Sequence, residues 1–286
     1  MTHGSFGWSR ELVPTDARPL FRPLHRELIG LLRALNAADW ERATLAGDWR
    51  VRDIAAHLLD GQLRRIAAGR DDHRATPPFP IHSNQDLAHF VNSLNSVGVA
   101  FGRRLSTRLL ADLLEVVGPW AADLFERQPL DEPAIWGVSW AGERESLNWM
   151  DLGREYTEWW HHQMQIRDAV GEPRLLVPHW MEPLLDLSVR ALPVAYASHP
   201  APDGVAITLE VHGPTEGAWS VVRDEGRWRV VRGRPNAPDA LIRIGTDDAW
   251  RLLYNAVGSP GLEHRIEFHG NRDLALPLLR ARSVIV

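Results

Sequence analysis

From Leu20 to Leu35 apolar residues recur at helical spacing (Leu24, Leu28, Leu31, Leu32, Leu35), and Val51, Ile54, Ala55, Leu58 and Ile66 repeat the pattern. After Gly69 the stretch RDDHRATPPFPIHSNQD, with three prolines, predicts a loop. A third helical region runs from about Leu87 to Arg127 and breaks near Ser106, a residue suited to capping. The segment QPLDEPAIWGVSWAGERES predicts an irregular connection, with Trp136 and Trp140 as candidates for a pocket wall. A fourth helix is expected over Asp151–Val170, with an apolar line of Leu152, Tyr156, Trp159, Ile166 and Val170 and a stop at Gly171 and Pro173. A further helix over Pro178–Tyr196 leads into SHPAPDG, which suggests a linker.

Beyond residue 204 the period changes to two. VAITLEVHG, WSVVRDEGRWRVVRG and ALIRIG alternate apolar and polar residues between Gly and Pro, as half-buried antiparallel strands do. DDAWRLLYNAVG returns to helix, IEFHG predicts a short strand, and NRDLALPLLRARSVIV predicts a helix with an apolar tail. The expected division is 1–198, helical, and 199–286, a small α+β domain of a size that folds alone.

Composition narrows the chemistry by exclusion. Among 286 residues there is no cysteine, so a thiol nucleophile, a Cys-bound metal and a disulfide are excluded. There is no lysine either: all 32 basic residues are arginines, which removes Schiff-base chemistry and the P-loop lysine. The net charge is −5 with arginines dispersed along the chain, so no basic footprint for nucleic acid is present. The apolar runs fall short of the roughly 18 residues of a membrane span, and MTHGSFGWSRELVPTD lacks the apolar centre of a signal peptide. A cytoplasmic protein with neither nucleic-acid nor membrane partners is expected.

What remains for catalysis is His, Asp, Glu, Ser, Tyr, Arg and metal. His57 lies in VRDIAAHLLDGQ, at the edge of its helix's apolar face and one turn before Gly61, which would leave room beside a metal. Glu158 and His162, in REYTEWWHHQMQIRDA, are four residues apart and so stand one turn above each other on one helix face. Two imidazoles and a carboxylate are an attested ligand set for catalytic zinc, which keeps a fourth position for water or substrate. His161, turned about 100° from His162, is expected to be a hydrogen-bonding neighbour. Asp53 and Asp60 flank His57 and are candidates to orient its ring. Glu155 is a candidate base or a plain surface charge. A zinc peptidase is disfavoured because no HExxH occurs.

The blocks GDWRVRDIAAHLLDGQ, EYTEWWHHQMQIRDAVG and ALIRIGTDDAWRLL with IEFHGNRDLALPLLRARSVIV together resemble the mycothiol-dependent maleylpyruvate isomerase family, part of the DinB-like superfamily. The resemblance covers nearly the whole chain. It implies an α+β protein with an N-terminal DinB-like four-helix bundle holding a divalent metal, commonly zinc, and a small sterol-carrier-like α+β domain after it. The family's metal ligands fall on His57, Glu158 and His162. Arg50 stands where Ser or Thr would be the usual helix cap. The implied co-substrate is mycothiol, a low-molecular-weight thiol, and the implied partner a small electrophilic substrate. The outcome is either S-transfer or cis–trans isomerisation. Arg243, Arg251 and Arg272 are candidates to bind the carboxylates of the thiol cofactor or of an acidic substrate, because the guanidinium fork suits carboxylates. A reading of a different class makes the protein a non-catalytic metal-containing module that carries a small apolar ligand.

Overall fold

The computed structural model describes residues 7–172, 174–256 and 259–285; Pro173, expected to stop a helix, lies outside them. Among the described residues the chain packs into two compact units. One contains 16–137, 145–172 and 174, the other 7–15, 138–144, 175–256 and 259–285.

The first unit is helical: α1 (Arg18–Ala34), α2 (Val51–Asp71), α3 (Asn84–Gly102), α4 (Thr107–Glu126) and α5 (Asn148–Val170). Helix α1 packs on α4 and α5, and α2 packs on α4 and α5, so the order around the bundle is α1, α4, α2, α5. The apolar stripes read from the sequence point inward. Phe21, Leu24, Ile54, Leu114, Phe125 and Tyr156 are all fully buried. The break expected near Ser106 is present, and the Ser106 hydroxyl caps α4 by accepting from the Leu109 N–H at 3.2 Å. Helix α3 is an addition to the four, laid on the outside of α2. Glycine permits that approach: a Cβ at Gly102 would stand 2.2 Å from the Ala56 Cβ, and one at Gly98 2.4 Å from the Asp60 carboxyl carbon.

Helix α2 starts without a side-chain acceptor at Arg50. Asp53, three residues on, compensates by accepting from the Arg50 N–H at 3.0 Å, the reciprocal half of a capping box. Helix α5 ends at Gly171 in the left-handed region, φ 75°.

The second unit is built on a six-stranded sheet in the order β1-β4-β3-β2-β5-β6. Its strands are β1 (Ser9–Glu11), β2 (Ala206–His212), β3 (Gly217–Asp224), β4 (Arg227–Gly233), β5 (Ala240–Gly245) and β6 (Ile266–Gly270). Glu225 and Gly226, both at positive φ, make the two-residue turn between β3 and β4. Two features depart from the expected antiparallel sheet. Strand β2 runs parallel to β5, and β1 from the N-terminal segment pairs with β4. Alternation along a strand is the same whichever way its neighbour runs, so the pattern did not distinguish these pairings.

The expected helix over Pro178–Tyr196 is α6 (Pro178–Ser188), a 3₁₀ turn and the short α7 (Leu192–Ala195). Thr246–Leu253 forms α8, and Ser259–Leu262 the short α9. At the C-terminus Pro277 limits the expected helix to α10 (Arg272–Ala275) and a 3₁₀ turn.

The packing divides the chain otherwise than at 198/199: residues 7–15 and 175–198 belong with the sheet. The stretch SHPAPDG is tied into that unit by backbone bonds, Gly204 donating to the Arg223 carbonyl and Arg223 to that of Val205. Asp186 of α6 holds the sheet directly, accepting from Trp219 Nε1 at 2.7 Å and from Arg232 at 3.1 Å.

Candidate metal centre

Helices α2 and α5 run antiparallel, since His57 meets His162 at one end of their seam while Arg65 meets Asp151 at the other. At the first end His57, Glu158 and His162 each offer one ligand atom, all within 4.8 Å of one another. The imidazole rings of His57 and His162 lie edge to face, centroids 4.5 Å apart. His162 Nδ1–H donates to Gln165 Oε1 at 2.9 Å, which fixes the tautomer and leaves the Nε2 lone pair 3.4 Å from Glu158 Oε2. His57 Nδ1 is buried and has no hydrogen-bond partner among the described residues. A buried nitrogen without a partner is uncommon and costly, and a metal ion is one group that would satisfy it. The donor set fits a divalent cation of the zinc class.

The electrostatics favour the deprotonated ligands that metal binding requires. Burial, and then the field of His162, push the His57 imidazole well below its usual range, so it is neutral. Burial works to raise the Glu158 carboxyl. The neighbouring imidazoles, His162 first, outweigh it and hold Glu158 ionised. His161 donates from Nδ1 to the Thr157 carbonyl at 2.9 Å and is pushed down to about 3, first by burial. It is a hydrogen-bonding neighbour, as its helical angle indicated.

Of the residues expected around the site, several act elsewhere. Asp53 closes the start of α2 and accepts from Arg103 at 2.8 Å and 3.0 Å. Asp60 accepts from Arg64 at 2.8 Å and faces Gly98 of α3. Neither is bonded to His57. Glu155 is not a surface charge: it is buried, 2.9 Å from Arg154 and 3.5 Å from Arg65. Trp136 lies under the Arg65 guanidinium, 4.8 Å from its centre, and Trp140 belongs to the sheet unit. A Cβ built on Gly61 would meet nothing within 4 Å, so open space lies at that position.

The sequence reading missed Gln165, the partner of His162, and Trp49. The turn before α2 closes by an Ala43–Arg50 bridge and by Thr44, whose N–H and hydroxyl both donate to the Trp49 carbonyl. It holds the Trp49 ring 5.1 Å from His57 and 6.5 Å from His162. Its signal was the GDW turn directly before the helix, with Gly47 at φ 59°.

The three candidate arginines lie on separate elements of the sheet unit. Arg243 on β5 donates to Glu210 at 2.7 Å and Glu267 at 3.2 Å. Arg251 on α8 pairs with Asp247 and covers Trp250, and Arg272 covers Phe268.

Residues 21–167 match the family model of the mycothiol maleylpyruvate isomerase N-terminal domain. The chain belongs to that family. Among solved structures the fold is similar to the crystal structure of the mycothiol-dependent maleylpyruvate isomerase. The identity is 14% and the TM-score 0.53, covering 87% of this chain and 92% of that one. A histidine-to-alanine mutant of that enzyme has the same identity and coverage with a TM-score of 0.50. The sterol carrier protein 2 like 2 from Aedes aegypti, 16% identical, covers 34% of this chain and 94% of its own at a TM-score of 0.27. No curated protein matches the sequence. No helix among the described residues is long and apolar enough to cross a membrane.

Proposed function

We propose that this chain is a metal-dependent enzyme that uses a low-molecular-weight thiol, mycothiol, as nucleophile toward a small electrophilic substrate. The outcome is cis–trans isomerisation or S-transfer. The observation that carries the reading is the convergence of His57, Glu158 and His162 with an unpartnered buried nitrogen, in a chain without cysteine. A divalent metal such as zinc, bound there, would supply Lewis acidity that lowers a thiol's pKa into the neutral range. The chain's own residues hold the His57 imidazole neutral and the Glu158 carboxyl ionised, and Gln165 fixes which nitrogen His162 presents. The thiol comes from outside because the chain has none. Gly61 leaves space beside the ligands on α2. Arg243, Arg251 and Arg272 are retained as candidate contacts for carboxylates of the thiol or substrate, Arg272 being the most exposed of the three. The family fold and the absence of a membrane-spanning helix among the described residues agree with a cytoplasmic enzyme.

The test is turnover of maleylpyruvate and of other thiol-reactive electrophiles, with and without mycothiol, before and after metal removal. The rate is expected to require both. Equal turnover without thiol would point to hydrolysis by activated water. No turnover together with a co-purifying apolar ligand would favour the carrier reading.

A further inference from the structure

The α2–α5 seam carries a second polar assembly that the thiol chemistry does not use. Arg65 of α2 donates from Nη2 to Asp151 Oδ2 at 2.8 Å, and its Nε stands 3.5 Å from Glu155 Oε1. Arg154 completes the group, 2.7 Å from Asp151 Oδ1 and 2.9 Å from Glu155 Oε1. The side chains of Arg65, Asp151 and Glu155 are 6%, 1% and 8% exposed. The Arg65 guanidinium is further confined between the rings of Trp136 at 4.8 Å and Phe125 at 5.5 Å. Two guanidinium groups face two carboxylates, so the assembly is neutral by itself, and Arg154 also feels the charge of Glu158.

A buried ion cluster is seldom worth more than apolar packing of the same volume, because desolvation offsets most of the attraction. Its distinctive property is direction. Apolar contacts tolerate sliding, whereas a guanidinium fork accepts only a narrow set of carboxylate positions. That matters here because the metal ligands are divided between two helices. A shift of one residue on either helix moves a side chain by about 1.5 Å along the axis and about 100° around it, far more than ligand bonds of about 2.0–2.2 Å tolerate. Arg65 stands eight residues beyond His57 on α2, and Asp151 and Glu155 stand seven and three residues before Glu158 on α5. The cluster therefore joins the same two helices about 5–12 Å along the seam from the ligands.

We propose that Arg65, through Asp151 and Glu155, is a positioning residue for the metal centre: it sets the register of α2 against α5 that brings His57 to Glu158 and His162. The proposal rests on the reading of that trio as a metal site. The experiment measures the zinc dissociation constant of the full chain by chelator competition, and the melting temperature with and without zinc, for wild type, Arg65→Met and Arg65→Lys. Removing a positive charge near a cation site would by itself tighten binding, so weaker binding reports geometry. Arg65→Met is expected to weaken zinc binding by about 10- to 100-fold, the range of groups that orient metal ligands. The zinc-induced rise in melting temperature should shrink with it. Arg65→Lys, which keeps the charge but not the fork, should recover part of the loss. Asp151→Asn gives the same readout if Arg65→Met does not fold. Equal loss of melting temperature with and without zinc, at an unchanged dissociation constant, would reduce the cluster to a stabilising contact and overturn the proposal. Wild-type protein that binds no zinc would instead remove the metal reading, and this proposal with it.

Discussion

The α2–α5 seam and the interior of the sheet unit both bury polar side chains, and they do so differently. In the sheet unit the buried hydroxyls are neutral and bonded close at hand. Thr208 and Ser220 share a bond at 2.8 Å, Ser188 and Tyr254 one at 2.5 Å, and Tyr196 donates to the Leu274 carbonyl at 2.6 Å. Along the seam the buried groups include the ion pair of Arg65 with Asp151 and, at His57 Nδ1, a nitrogen without a partner among the described residues. Neutral paired groups cost little to bury, whereas ionised or unpaired ones are expensive. The His57 nitrogen and the ionised groups on the same two helices are therefore of the expensive kind, and the hydroxyl pairs of the sheet unit of the inexpensive kind.

The sharpest way to break this comparison is at the ligands. His162→Ala should lower metal affinity on the order of a thousandfold, read by metal content and chelator competition, with secondary structure by circular dichroism unchanged. Next in size, Asp151→Ala leaves Arg65 and Arg154 buried with a carboxylate missing. It should cost about 3–5 kcal/mol of stability in urea unfolding, against about 1 kcal/mol for Ser220→Ala in the sheet. Similar costs for the two variants would erase the contrast.

A third test uses pH. Burial pushes His25, packed beneath Gly118 on α4, down to about 4. A histidine depressed in the folded state binds its proton more readily when unfolded. Its contribution is thus intact above the unfolded value near 6.5 and is lost as pH falls toward 4, worth about 3 kcal/mol in all. His25→Leu should flatten the fall in unfolding free energy between pH 6.5 and 4, and an unchanged slope would contradict the assignment. The smallest effect is expected at Gly61. Alanine there meets open space within a helix and should raise stability by about 0.5–1 kcal/mol, whereas alanine at Gly98 runs into Asp60 and should lower it.

The candidate ligands were legible because helical periodicity places Glu158 and His162 on one face and sets His161 aside, and the family resemblance joins His57 to them. The ion cluster was not. Asp151, Arg154 and Glu155 look in sequence like charges on a solvated helix, and only the packing of α2 buries them. Gln165 was hidden for the same reason, since nothing local distinguishes an amide that orients a ligand from one facing water. The helical and strand-rich regions could be read from their periods. The allocation of residues 7–15 and 175–198 to the sheet could not, because β1 is three residues long and pairs with a strand far away in sequence.

That short strand has a consequence for how the chain comes to be made. More than 200 residues separate β1 from β4, and until they meet, β4 presents its outer row of amide and carbonyl groups to any passing strand. During synthesis β1 must wait until the bundle residues and then β4 have been made before it can seal the sheet's border. Removing residues 7–15 would leave both units' cores in place yet open that border, and the expected penalty is self-association through β4 rather than unfolding.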